Sequence, residues 1–135
     1  MGIRLVKSIY TGSDVTSLGE SATADTIDGV LAPTITALTD GATITPDLTV
    51  SANLSVTLGG NRTLANPSAL TAGQSGSIFI TQDATGSRTL AFGSYWDFAS
   101  GTAPTLTTTA NAIDRLDYIV RTSTSIHAVL TTNYS

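Results

Sequence analysis

Residues 77–98, SIFITQDATGSRTLAFGSYWDF, contain the segment that decides the fold. The run 77–82 is rich in branched and aromatic side chains, which favour strands over helices. In residues 83–87, an Asp can bond its own backbone and a Gly tolerates positive φ, so we predict a hairpin loop there. Residues 88–92 then form the partner strand, and Arg88 can pair with Asp83 across the loop. This stretch therefore predicts antiparallel β structure.

The same pattern of short β-prone runs between turn residues continues along the chain. In residues 54–58, LSVTL, alternation places three aliphatic side chains on one face. The turn 59–61, GGN, predicts a hairpin that returns through residues 62–64. Residues 115–121 and 125–130 predict another hairpin, and its first strand alternates inward Leu116, Tyr118 and Val120 with outward Asp117 and Arg121. We find no convincing internal repeat, and the close strand spacing is typical of a sandwich or barrel.

The N-terminal third differs from this pattern. Residues 11–46 are rich in Gly, Asp, Thr and Ser and carry few large apolar side chains. Such a segment has little core of its own. We predict that residues 1–46 form a strand with an extended arm or linker, and that residues 47–135 form a compact β domain.

The composition indicates a subunit of an assembly. Charged residues make up 12% of the 135 residues, against a usual value of about 25%. A small domain with so few charges covers its surface more easily by packing against other chains. No segment has the length of a membrane span or the pattern of a secretory signal, so we expect no membrane partner.

No motif points to catalysis. The chain has no Cys and one His, His127, so metal ligands are scarce. Asp114 and Asp117 lie three apart and therefore face opposite sides of a strand, so they cannot act as a carboxylate pair. The six basic residues are scattered, which makes nucleic-acid binding unlikely as a function. We predict no enzymatic activity, no catalytic residue, no metal and no cofactor.

The aromatic cluster at residues 94–98, SYWDF, leaves two interpretations open. Trp96 and Phe98 can fill the core or a subunit interface. Alternatively, Tyr95, Trp96 and Phe98 form an exposed loop whose flat rings bind a sugar or another receptor at small entropic cost.

Residues 61–120 resemble a β domain of tailed-bacteriophage virion proteins, which include head-decoration and tail-fibre-like proteins. The resemblance lies in the opening NRTLANP, in GQSG, in TQDATGSRTLAF and in GTAPTLTTTANAID. The N-terminal segment KSIYTGSDVTSLGE is also similar to phage structural proteins. The resemblance implies a small antiparallel β-sandwich, jelly-roll-like, packed as a homotrimer and without catalytic residues.

Within this group we favour a capsid decoration (cement) protein on the virion surface, made in the bacterial host cytoplasm. A short chain with an arm suits this role, since arms add strands to neighbouring sheets and lock a shell through many weak contacts. The chain begins with Met, and we expect it to be complete, whereas fibre chains are longer. The partner would be the major capsid protein, and the predicted shell-attachment residues are Ile3, Arg4, Leu5, Val6, Lys7, Ile9 and Tyr10.

Two other interpretations remain. The attachment residues can instead form an ordinary first strand of the domain. The alternative function is a tail-fibre or tail-tip protein that binds a host surface receptor through the aromatic loop.

Overall fold

The structure, a computed structural model, describes residues 33–134, and the regular secondary structure of these residues is almost entirely β-strand. The predicted all-β class is confirmed. Pro33–Ser135 forms one compact unit. Its strands are β1 (Ile35–Ala37), β2 (Thr43–Ile44), β3 (Asn53–Leu58), β4 (Arg62–Leu64), β5 (Ser75–Gln82), β6 (Leu90–Phe92), β7 (Trp96–Phe98), β8 (Ile113–Thr122) and β9 (Ser125–Thr131). A 3₁₀ turn at Ala99–Gly101 follows β7.

The first six strands wind three times between two sheets. Strands β1, β3 and β5 lie side by side in a large sheet, and β2, β4 and β6 form a small sheet. All neighbours within these two groups are parallel. Each turn of the winding therefore adds one strand to each sheet, in the manner of a short solenoid.

The remaining strands complete the large sheet, whose order is β1-β3-β5-β8-β9-β7. Strand β8 is antiparallel to both β5 and β9, and β7 is parallel to β9. The predicted hairpin around residues 122–124 is thereby confirmed. The sheet as a whole is mixed.

The other two predicted hairpins are wrong, and so is the expectation of a wholly antiparallel sandwich. Strands β3 and β4 lie in different sheets, as do β5 and β6. The turn at residues 83–87 has the predicted chemistry, because the Asp83 carboxylate accepts from the backbone N–H of Thr85 and Gly86. However, Ser87 N–H donates to the carbonyl of Thr108, and the chain continues into the small sheet. The turn is therefore a corner between the two sheets. Since the chain passes between the sheets in this way three times, it has a structural repeat, contrary to the expectation from the sequence.

The core lies between the two sheets. Leu54, Val56 and Leu58 share the inner face of β3, as predicted, and all are buried. The small sheet contributes Ile44, Leu64 and Leu90. On β8, the inner face carries Leu116, Tyr118 and Val120, and burial alternates along this strand. Burial of these side chains is the main source of stability.

Strands β1 and β2 lie in the segment assigned to the arm, and they pair with β3 and β4. Residues 33–46 thus belong to the β fold. The rest of the predicted arm lies outside the described residues. Within the described part of the chain, no helix has the length and apolar character that a membrane crossing needs.

Candidate interaction surface

The large sheet has one face on the core and one face directed away from it, which we call the outer face. Since side chains alternate along a strand, inward Tyr118 and Val120 place Ile119 on the outer face. Val129 alternates in the same way with buried Ala128 on β9. Ile119 and Val129 are 50% and 62% exposed, which is unusual for aliphatic side chains on adjacent strands.

The strand register brings these side chains together. Asp97 on β7 pairs with His127 on β9, and His127 pairs with Ile119 on β8. Val129 pairs with Asp117 one row further along the sheet. Neighbouring strands lie about 4.8 Å apart, so these five side chains form a contiguous patch.

The patch forms a shallow groove of about 510 Å³. Its lining includes Asp97, Phe98, Asp117, Ile119, His127 and Val129. The lining is mostly apolar, and Asp97, Asp117 and His127 supply its polar groups. Such a groove can accept an apolar surface whose charges match those at its margins.

Two carboxylates, those of Asp97 and Asp117, line the groove, and the guanidinium groups of Arg115 and Arg121 belong to the same strand as Asp117. Asp117 accepts from Arg115 Nη2 at 2.9 Å and from Ser77 Oγ at 2.6 Å. Burial raises the pKa of Asp117, but the hydrogen bonds from Arg115 and Ser77 outweigh this and hold it below its usual value. The negative charge of Asp117 is therefore already compensated within the chain by Arg115.

Asp97 and Arg121 differ from Asp117 in this respect. Asp97 is exposed and accepts a hydrogen bond from Ser125 Oγ at 2.6 Å. Arg121 is exposed at a β-bulge between Val120 and Thr122. Among the residues that the structure describes, neither takes part in an ion pair, whereas every other arginine there does.

The aromatic cluster is divided between the core and the groove. Trp96 is 5% exposed, and its Nε1–H donates to the carbonyl of Ala65 at 3.0 Å. Its ring contacts Phe92 and Tyr118 edge-on. Trp96 thus belongs to the core of this chain, as the packing interpretation expects, and the exposed-loop interpretation does not apply to it.

Tyr95 and Phe98 are half-buried. Phe98 packs edge-on against Phe92, with ring centroids 4.7 Å apart, and part of it also lines the groove. The backbone N–H of Tyr95 donates to the Asn66 side chain. A contact role for Tyr95 and Phe98 stays a prediction. The shell-attachment residues from Ile3 to Tyr10 lie outside the described residues, and their role stays a prediction too.

The remaining acidic residue of interest, Asp114, has a structural position. It is buried on the face of β8 opposite to Asp117, as predicted. Its carboxylate accepts from the backbone N–H and the hydroxyl of Thr107, at 2.7 and 2.8 Å, and from the backbone N–H of Asn133 at 2.8 Å. Within residues 33–134, no three acidic or His side chains come together as potential metal ligands.

Sequence reasoning missed the outer face as a site. The alternation on β8 and β9 contained the signal, since an outward Ile and an outward Val stood among polar outward residues. What the sequence did not provide was the pairing of β7 with β9, which brings Asp97 to the same patch.

Residues 44–121 match the family model described as "Putative phage tail fibre C-terminal domain", a match that runs from β2 into β8. No curated protein and no solved structure matches the chain significantly.

Proposed function

Because this chain belongs to the phage tail fibre C-terminal domain family, and is thus a phage virion structural protein, we propose that it is a tail-fibre or tail-tip component. The single observation that carries this proposal is the family match over more than half of the chain. The match favours the fibre alternative over capsid decoration, for which no finding gives support.

The architecture supports a mechanical and binding role. Parallel winding pairs the backbone of each turn with the next, which produces a stiff rod-like element in solenoid proteins. The mixed sheet of β8, β9 and β7 then closes one side of this winding and presents the groove. We place the surface contacts of the protein on this outer face.

We further propose that the domain is non-catalytic and acts as a homotrimer. The carboxylates of Asp40, Asp83 and Asp117 are held by arginines, and that of Asp114 is held by backbone and hydroxyl donors. Carboxylates whose oxygens accept hydrogen bonds in this way stabilise the folded chain. The low charge content of the chain supports burial of part of its surface against sister chains.

A copy-number measurement combined with a competition assay tests the proposed function. Quantitative mass spectrometry of purified virions should give few copies of this chain relative to the major capsid protein. A decoration protein would instead approach the copy number of the shell itself. Purified chain added to host cells before infection should slow phage adsorption in a dose-dependent manner, because it occupies the receptor. High copy number without any effect on adsorption would contradict the proposal.

A further inference from the structure

We propose that the groove on the outer face is a self-association surface, and that its occupant is a second copy of this chain. The inference deepens the proposed homotrimer by naming the surface and the residues that form it. It rests on the proposed function only for its biological setting, since self-association is measured on the purified chain.

The apolar centre of the surface is the first argument. Ile119 and Val129 are 50% and 62% exposed and lie diagonally to each other on neighbouring strands, and Phe98 contributes to the lining of the groove. Burying these aliphatic side chains against a partner removes apolar surface from water, which favours association. A contiguous apolar patch of this kind on a charge-poor protein is typical of a protein–protein interface.

Charge complementarity is the second argument, and it points to a copy of the same chain. Asp97 and Arg121 lie on β7 and β8, with β9 between them, and among the described residues they form no ion pair with each other. A contact between copies can bring Arg121 of one copy to Asp97 of the next. The one arginine left without a carboxylate partner in the described residues would then have one.

The geometry also fits a closed assembly. A surface with Asp97 on one side and Arg121 on the other can make a heterologous contact, in which Arg121 of one copy meets Asp97 of the next. Such contacts close into a ring when the rotation between copies permits. Ile119 and Val129 would then lie near the symmetry axis. A patch three strands wide and about six residues long measures about 14 by 20 Å. Two such patches cover about 560 Å², which is smaller than a standard protein–protein interface and corresponds to a weak association.

Sedimentation equilibrium of the purified full chain tests the proposal, with Val129→Asp as the variant and Val50→Asp as the matched control. Val50 and Val129 are 65% and 62% exposed, so the two substitutions are alike in chemistry and exposure. Val129→Asp should weaken self-association by about tenfold or more, because a charge replaces an apolar contact at the interface centre. Val50→Asp should leave it unchanged. Circular dichroism reports whether each variant is folded.

A charge exchange keeps the test valid if Val129→Asp fails to fold. Asp97→Arg and Arg121→Asp should each weaken self-association, and the double variant should restore it, since the pair is then reversed between copies. The proposal is overturned if the wild-type chain is monomeric at all concentrations, if a folded Val129→Asp associates like wild type, or if the double variant fails to restore association. A wild-type chain that is monomeric in solution but is located at the fibre on the virion would refute this surface and leave the proposed function standing.

Discussion

Replacing Asp114 by Asn changes almost nothing in shape and removes one acceptor from a buried site. One carboxylate oxygen of Asp114 accepts from the Thr107 hydroxyl and the Asn133 backbone N–H, and the other accepts from the Thr107 backbone N–H. An amide can replace only one of these oxygens, so its NH₂ group faces a backbone donor. An unsatisfied buried donor costs about 1–3 kcal/mol, and the loss of charge assistance in the remaining bonds adds about 1. We expect Asp114→Asn to lower the free energy of unfolding by about 2–4 kcal/mol.

Urea unfolding followed by fluorescence measures this change, because Trp96 is the single tryptophan and lies in the core. With a denaturant slope of roughly 1–2 kcal/mol per M, the midpoint should fall by about 1–3 M at fixed protein concentration. Asp47→Asn is the matched control. Asp47 is exposed and accepts hydrogen bonds from Thr49 nearby, so its substitution should shift the midpoint far less than Asp114→Asn does. Equal effects of the two substitutions would refute the reasoning.

Three further outcomes follow from the packing and the ion pairs. Gly76→Ala should destabilise the fold by about 1–3 kcal/mol, since its Cβ would lie 1.8 Å from the backbone oxygen of Ala52. Gly41→Ala should be nearly neutral, because the nearest atom to its Cβ would be the backbone oxygen of Thr43 at 3.6 Å. Equal thermal midpoints for the two variants would contradict this. Trp96→Phe should cost about 1–2 kcal/mol, because it removes a buried hydrogen bond and part of the core, and a chemical unfolding curve followed by circular dichroism checks it. Hydrogen bonds from arginines hold the pKa of Asp40 and of Asp83 below the ordinary value of 3.8. The stability that these two carboxylates contribute is therefore present above pH 3.8 and is lost as the pH falls through the pKa of the folded state. The melting temperature should drop below about pH 4, and a melting temperature that stays constant down to about pH 2 would exclude the effect.

Much of the local structure was predictable because it depends on neighbouring residues. The alternation in β3 and β8 identified the inner faces, and the Asp83–Arg88 ion pair at 2.7 Å was expected from the turn chemistry. The direction of the strands was not predictable in this way. Inward and outward residues alternate equally in parallel and antiparallel strands, so the pattern does not distinguish a hairpin from a corner between sheets.

A weak signal of the winding is visible in retrospect. The tetrapeptide RTLA occurs at residues 62–65 and 88–91, each time at the entry to the small sheet. In both places the arginine binds an Asp in a corner between the sheets, Asp40 between β1 and β2 for the first and Asp83 between β5 and β6 for the second. The strands pair with an offset of two residues, Leu64 beside Phe92, and the loops between turns differ in length. These differences hide the repeat from a search for a fixed period.

The outer-face surface was only half predictable for a related reason. Outward Ile119 and Val129 follow from alternation, but Asp97 reaches the surface through the pairing of β7 with β9, two strands that are distant in sequence. Such a pairing is decided by how the whole domain packs. The aromatic cluster shows the same limit, because the burial of Trp96 depends on Phe92 and Tyr118 from other strands.

The most direct test of the central claim is the position of this chain on the intact virion, determined by cryo-electron microscopy of particles labelled with an antibody raised against residues 33–134. The account predicts label at the tail fibres or the tail tip, in multiples that match a trimer at each site. Label distributed over the head shell would contradict the fibre assignment and restore the decoration interpretation.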